Sequence, residues 1–388
     1  MIKDEVAVIG VGCTKFGENF DKSFSDMVID AVYEAYEDAG IEPKDIQAAW
    51  MGTSRPELAG ERTAGCTLAV PLKLYHVPIT RVYNFCATGM DSFRNACFAV
   101  ACGMYDIALV VGVEKMRASS SRSLVESMIT GGHPYLIKGR TAPGYFSLLA
   151  ARYFHQYKIG REYLAKIVVK NHHNGTLSPK AHFQFEVTMD QVLKAPMVAE
   201  PLGRLDCCPT TDGAAAAIIT NKELAKKFRK DPIWVKGIGL AVWSEENVFI
   251  RDFDFLGFPA NRAAAQQAYQ QVGIKDPRKE IDFASVHDCF SISEMLIYED
   301  LGFCKPGEGW RFIDDGIPAL GGELPVNTDG GLKSFGHPIG ASGLRIINEM
   351  VKQLRGQAGP RQVKNAELGL GHMLGGPGAL ACVSIFGN

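Results

Sequence analysis

The chain passes from near-continuous apolar runs to stretches with helical spacing, and it does so twice. VAVIGVG (residues 6–12) lacks the polar alternation of a half-exposed strand and reads as a strand buried on both faces. DMVIDAVYEAYEDAG then sets apolar residues three and four apart, which predicts a helix, and IEPKDIQAAWMG returns to extended structure. The second half repeats this order in IWVKGIGLAV (233–242), ANRAAAQQAYQQVG and IKDPRKEIDFASVHD. Gly40-Ile41 and Gly273-Ile274 fall just past the two helices, where glycine supplies a left-handed cap. Further on, DSFRNACFAVACG and MYDIALVVGVE have counterparts in ASGLRIINEMVKQLRG and AELGLGHMLGGPGALACVSIF. An α/β fold of two similar halves is expected, over residues 1–225 and 226–388. The interval 117–205, rich in His, Tyr, Phe and Arg, interrupts the first half and is expected to form an inserted loop domain over the site.

Composition narrows the chemistry. The 388 residues are 46% hydrophobic and 22% charged, as in an ordinary globular protein, and Lys+Arg 41 against Asp+Glu 43 leaves a net charge of -2. Nothing in that balance attracts nucleic acid or an anionic membrane in bulk. No run approaches the roughly 20 apolar residues that span a bilayer. The start leads into a strand without a signal-peptide layout, so a cytoplasmic location is expected. The ten cysteines include no Cys-x-x-Cys pair; they read as reduced thiols, mostly buried, and no resident metal is expected. Walker A, HExxH and complete GxGxxG sequences are absent, with only the Gly10/Gly12 pair in VIGVGCTKFG. Phosphoryl, metal-hydrolytic and nicotinamide chemistry therefore lack their usual apparatus.

Four segments carry candidate chemistry. In NFCATGMDSF, Cys86 lies between a strand-like run and a helix, so its thiol faces a helix N-terminus; free N–H groups there favour the thiolate and are expected to lower its pKa. VHDCFSISE follows a strand and brings His287 close to a second thiol, Cys289. GGLKSFGHPIGASG, dense in glycine, fixes His337 just before a helix, where an imidazole can deprotonate a thiol or polarise a carbonyl. GHMLGGPGALACVSIF holds His372 and a glycine-rich turn whose backbone N–H groups can face an oxyanion. A cysteine nucleophile with histidines and a second thiol fits acyl transfer through a covalent thioester.

NFCATG, HDCF and GHPIGASG, in this order, resemble the motifs of the thiolase superfamily, and within it the sterol-carrier-protein-2-type and archaeal-type members; the resemblance runs over nearly the whole chain. It implies a thiolase fold: duplicated βαβαβ halves in a five-layer αβαβα sandwich with an inserted loop domain. It also implies that Cys86 is the nucleophile, that His287, Cys289 and His337 share the acid/base and enolate-binding work, and that the backbone N–H groups of Cys86 and of the 374–376 turn, at Leu374, form the oxyanion hole. Most thiolases have a second catalytic cysteine in a Cys-x-Gly motif near the C-terminus; His372 stands there instead, as an auxiliary candidate, and the resemblance moves the acid/base thiol to Cys289.

The implied activity is cleavage of a 3-oxoacyl-CoA by CoA, or the reverse Claisen condensation. Coenzyme A enters as a co-substrate, with no permanently bound cofactor. Acetoacetyl-CoA and branched or aryl-bearing substrates such as benzoylsuccinyl-CoA both fit, and the aromatic groups HPY (133–135), RYFHQY (152–157) and HFQF (182–185) either line an acyl pocket or pack the inserted helices. A ketoacyl-synthase-like condensing enzyme and an inactive thiolase-like scaffold subunit are the alternatives. The resemblance further implies a homodimer or dimer of dimers and a separate small zinc-ribbon/OB-fold partner. SIFGN is followed by neither a sterol-carrier domain nor a Ser-Lys-Leu tail, and a prokaryotic enzyme is expected.

Overall fold

Two glycine pairs explain how the layers come together. A Cβ at Gly10 or Gly12 would lie 2.4 Å from the Ala35 oxygen or 2.0 Å from that of Ala31, so the helix over residues 24–39 rests directly on the first strand. Gly237 and Gly239 repeat the device against the oxygens of Ala268 and Ala264, at 2.7 and 2.0 Å. The same Gly-x-Gly on a strand and the same pair of alanines on a helix thus recur in both halves, and each helix ends on a left-handed glycine, Gly40 (φ 68°) and Gly273 (φ 95°).

The computed structural model describes residues 2–61, 64–120, 141–244 and 246–388. Its main sheet contains β1 (Val6–Cys13), β2 (Ala48–Gly52), β3 (Ile79–Val82), β4 (Ile107–Lys115), β5 (Asp212–Asn221), β6 (Ile233–Val242), β7 (Phe283–Ser285), β8 (Leu368–Gly375) and β9 (Leu380–Gly387). The strand order is β3-β2-β4-β5-β1-β6-β9-β8-β7. Within it, β2-β4-β5-β1 and β7-β8-β9-β6 match in order and in sense. The first pair of each set is parallel and the other two are antiparallel. Among the described residues the strand pairing between the two sets is Ala7 opposite Trp234 and Val8 opposite Ile233.

The longer helices are α1 (Phe24–Ala39), α2 (Thr88–Ala101), α3 (Ala142–Tyr157), α4 (Glu162–Thr176), α5 (Pro259–Val272), α6 (Ser291–Asp300) and α7 (Ile339–Leu354). α1 covers the outer face of the first strand set and α5 that of the second, while α2 and α7 pack on each other between the sets. This is the αβαβα layering expected. α7 buries Leu344, Ile346, Ile347, Met350 and Val351 in that middle layer, each such side chain contributing about 1.5–3 kcal/mol of transfer free energy. None of the helices among the described residues is long and apolar enough to cross a membrane.

The described part of the inserted interval contains α3, α4, a short helix (Met189–Lys194) and a small hairpin. HPY (133–135) lies outside the described residues. RYFHQY belongs to α3 and serves packing: Tyr153 is buried, its hydroxyl donates to Glu299, and its ring lies 4.6 Å from that of Tyr157. In HFQF, the Phe183 ring stands 4.4 Å from that of His182, and the Phe183 carbonyl accepts the Ser334 hydroxyl at 2.7 Å, which braces the segment leading to His337. All ten cysteines are free thiols; Cys66 and Cys102 are exposed, so burial is less general than expected.

Candidate active site

Cys86 is presented by a strained turn. Phe85 adopts φ 49°, a left-handed conformation that costs a bulky residue on the order of 1–3 kcal/mol. The turn is held by the Asn84 N–H donating to Thr88 Oγ (2.8 Å) and by the Asn84 amide donating to Asp91 (2.8 Å). α2 begins two residues later, so the sulfur stands at its N-terminal end. His337 occupies the corresponding place in the second half, two residues ahead of α7. The two helix starts touch because glycines allow it: a Cβ at Gly89 would lie 2.6 Å from the Gly340 oxygen, and one at Gly343 would lie 2.4 Å from the Met90 nitrogen.

The structure brings three of the expected residues together. Cys86 Sγ and a ring nitrogen of each of His287 and His337 lie within 4.8 Å of one another, and the two rings meet edge to face at 5.3 Å. Among the described residues this is also the one cluster with the spacing of metal ligands. His287 follows β7, at the C-terminal end of a strand, as the sequence suggests.

The proton positions follow from the hydrogen bonds. Ser342 donates its hydroxyl hydrogen to the Pro338 carbonyl (2.9 Å), so its oxygen accepts from His337 Nδ1–H (2.8 Å). Nε2 of His337 then carries the lone pair, and it is buried without another partner. Burial and, secondarily, the Arg345 guanidinium push the His337 pKa down to about 3. Burial also pulls His287 well below the usual imidazole range, helped by His337, His372 and Arg345. Both rings are neutral near pH 7, the state a base requires.

The thiol corrects an expectation. The N–H groups of Gly376 and of Cys86 itself stabilise the thiolate, but burial outweighs them and pushes the Cys86 pKa up to about 12, with Glu114 adding to the rise. The resting pair is therefore thiol and neutral imidazole. The turn donor aimed at the sulfur belongs to Gly376, not Leu374; Leu374 lies within β8, opposite Ala381.

Cys289 is buried just ahead of α6, with its sulfur 3.8 Å from the Ser293 hydroxyl. Burial raises its pKa well above that of a free thiol, and the neighbouring thiols Cys208 and Cys86 raise it further. Its carbonyl accepts the Cys208 N–H at 2.8 Å, which places Cys208 beside it. Asp288 points elsewhere and caps the short helix Gly331–Ser334, accepting from Leu332 N (2.6 Å) and Lys333 N (3.1 Å).

His372 does not join the cluster. It lies within β8, its Nε2–H donates to Asn261 Oδ1 (2.9 Å), and its Nδ1 accepts the His287 N–H at 3.5 Å. Both ring nitrogens are thus committed away from Cys86, which argues against the auxiliary role. Gly376 belongs to the expected 374–376 turn and Ser342 lies inside GHPIGASG without a role of its own there, whereas Cys208 and Glu114 fall outside the four segments; Glu114 shows in the sequence as an acid closing the apolar run IALVVGV.

The thiolase N-terminal domain model matches residues 6–223, and the thiolase C-terminal domain-like model matches residues 241–388. The chain belongs to the thiolase family. This thiolase is 40% identical to an acetyl-CoA acetyltransferase of Methanothermobacter thermautotrophicus over 98% of its own length and 99% of the relative's. It is 33% identical to human sterol carrier protein 2, covering 97% of this chain and 70% of that one. Among solved structures, an "Ltp2-ChsH2(DUF35) aldolase" superposes with a TM-score of 0.86 at 26% identity, covering 100% of this chain and 98% of that one. Human mitochondrial 3-ketoacyl-CoA thiolase superposes with a TM-score of 0.76 at 17% identity, with full coverage of both chains, and shares the fold. The thiolase is accordingly an acyltransferase, of a family that uses CoA as a substrate.

Proposed function

We propose that this thiolase transfers an acyl group between a 3-oxoacyl-CoA and CoA through a thioester on Cys86. The observation that carries the reading is the joint approach of Cys86 Sγ and the two histidine nitrogens within 4.8 Å. His337 Nε2 takes the thiol proton as the sulfur attacks the keto carbon. The Cα–Cβ bond then breaks, leaving acyl-Cys86 and the enolate of the shorter CoA thioester. His287 and protonated His337 donate to the enolate oxygen, Cys289 protonates its carbon, and the Cys86 and Gly376 N–H groups receive the acyl-enzyme oxyanion. A second CoA, deprotonated by the same groups, attacks the thioester and frees Cys86. Claisen condensation is the reverse.

The names of the archaeal relatives favour acetyl transfer, and hence acetoacetyl-CoA, over branched or aryl substrates such as benzoylsuccinyl-CoA. The aldolase among the similar structures supports a second outcome to test, carbon–carbon cleavage that consumes no CoA. Its complex with ChsH2(DUF35) also supports a separate partner protein for this chain, beside a homodimeric or tetrameric assembly in the cytoplasm.

Single-turnover cleavage of acetoacetyl-, branched and aryl 3-oxoacyl-CoA, with and without CoA, tests the reading. An acyl adduct on Cys86 and CoA-dependent product release are expected. Cleavage without CoA favours an aldolase, malonyl-thioester decarboxylation without thiolysis favours a condensing enzyme, and absence of any adduct favours a scaffold.

A further inference from the structure

Glu114 closes β4 and is 1% exposed, yet its carboxylate is held by neutral donors. Oε1 accepts the Arg55 N–H (2.8 Å) and the Thr53 hydroxyl (3.3 Å); Oε2 accepts the Ser54 N–H (2.8 Å) and the Gly340 N–H (3.0 Å). Two donors therefore converge on each oxygen. Three backbone N–H groups and a hydroxyl around the two oxygens favour the carboxylate, and burial works against them by raising its pKa.

The position of Gly340 gives these bonds their consequence. It is the second residue of α7, three past His337, and it is wedged against three other backbone segments. Its own Cβ would lie 2.5 Å from the Gly52 oxygen and 2.8 Å from that of Val113, and Cβ atoms at Gly89 and Gly112 would lie 2.6 and 2.2 Å from its oxygen. The base-bearing helix start, the end of β2, the end of β4 and the first turn after Cys86 thus meet at one point, and Glu114 is the polar group at that junction. Met116, Ile339 and Cys86 pack together beside it.

We propose that Glu114 is a positioning residue for acyl transfer: its carboxylate pins the helix start that carries His337 to the 53–55 segment after β2, at the junction where that helix start meets the first turn after Cys86. The proposal rests on the Cys86 thioester reading. Glu114 also leaves an electrostatic mark, because its negative charge disfavours the Cys86 thiolate. The other ionisable groups around that sulfur are His287 and His337. Cys208 and Cys289 approach from the opposite loops, and Tyr83 from the end of β3. Arg55 acts on Tyr83, while Arg81 on β3 donates to the Thr53 carbonyl. Of these, Glu114 is the one that both raises the thiol pKa and bonds to α7.

Glu114→Gln keeps the shape and removes the charge. Thiolysis kcat is expected to fall at least about tenfold with KM for CoA little changed, as when an interaction realised in the transition state is lost. At the same time Cys86 becomes more acidic. Its iodoacetamide alkylation at pH 7, which tracks the thiolate fraction, rises at least about threefold, and the alkylation pH profile moves down. A purely structural loss lowers kcat without moving that profile to lower pH. Glu114→Asp, which retains the charge but withdraws from Gly340, is expected to lose turnover with the wild-type alkylation profile, and it carries the test if the Gln variant does not fold. An unchanged alkylation profile in Glu114→Gln, or full turnover in Glu114→Asp, overturns the proposal. Absence of a Cys86 adduct in the wild type instead overturns the thioester reading.

Discussion

Ser342→Ala separates the tautomer of His337 from its mere presence. The wild-type hydroxyl gives its hydrogen to Pro338 and so accepts from Nδ1–H, which leaves Nε2 free to take the Cys86 proton. Without the hydroxyl, a buried N–H loses its acceptor at a cost of about 1–3 kcal/mol. A neutral imidazole can reduce that cost by moving the proton to Nε2, where the Cys86 sulfur is the nearby weak acceptor, and the ring then has no lone pair for the thiol. With tenfold for each 1.4 kcal/mol, the base-competent fraction and kcat should fall by up to about 5- to 140-fold. KM should change little, since the hydroxyl is not required for the two helix starts to meet. Direct alkylation of Cys86 at high pH, where hydroxide removes the proton, should proceed at the wild-type rate. Steady-state thiolysis with purified, folded variant decides the matter. A kcat within twofold of wild type would mean that the Ser342 bond does not choose the tautomer, and the assignment of Nε2 as the base would fall with it.

Four further outcomes are expected. Cys86→Ala abolishes the acyl adduct seen by mass spectrometry, whereas Cys102→Ala, at an exposed position, leaves adduct formation and stability unchanged. Gly340→Ala drives a methyl into backbone oxygens that have no rotamer to escape through, and should lower stability in urea by about 1–3 kcal/mol or more. His372→Leu leaves the Asn261 carbonyl without its donor and should cost about 1–3 kcal/mol, while Cys86 still forms its adduct, which an obligatory acid/base role for His372 forbids. Burial pushes Asp300 up to about 7, above its unfolded value of about 3.9, so the folded state alone holds that proton between these pH values. Stability contributed by the protonated group is lost as pH rises through that window, by at most about 1.4 kcal/mol per unit, and Asp300→Asn should show a smaller drop in urea midpoint between pH 5 and 8 than the wild type.

What the sequence reveals depends on whether the cause is local. The glycine caps at 40 and 273 and the apolar strands have local causes, and the duplication was readable from them. The Gly10/Gly12 and Gly237/Gly239 pairs were equally visible, but a strand glycine discloses a close approach only when the alanines opposite are known. The Cys86 turn and the His337 segment could be named from their motifs. The thiol pKa could not, because a helix end is a local favourable term while burial is summed over the whole fold, and here burial wins. Gly376, rather than Leu374, faces the sulfur because β8 runs on to Gly375, and strand ends are the least certain feature of a one-dimensional pattern. Ser342 sits inside GHPIGASG but its bond to His337 depends on a side-chain rotamer, and Cys208 had no signal because its place beside Cys289 is set across the fold.

The duplication also explains why the chemistry is divided as it is. In the matching strand sets, β2 corresponds to β7, β4 to β8 and α2 to α7, so the elements around the site come in three related pairs. The segments after β2 and β7 supply the Thr53–Arg55 donors in one half and His287 with Cys289 in the other. The turns before α2 and α7 supply Cys86 and His337, the proposed nucleophile and its base. The ends of β4 and β8 supply Glu114 and the Gly376 N–H. Each pair occupies a matching place while its polarity differs: the first half contributes the sulfur and a carboxyl group, the second the imidazoles and a backbone N–H donor. A symmetric pair of thiols or of imidazoles would have no direction for a proton to move. Two unlike helix starts, held together at Gly89, Gly340 and Gly343, give it one in the proposed reaction, from Cys86 to His337.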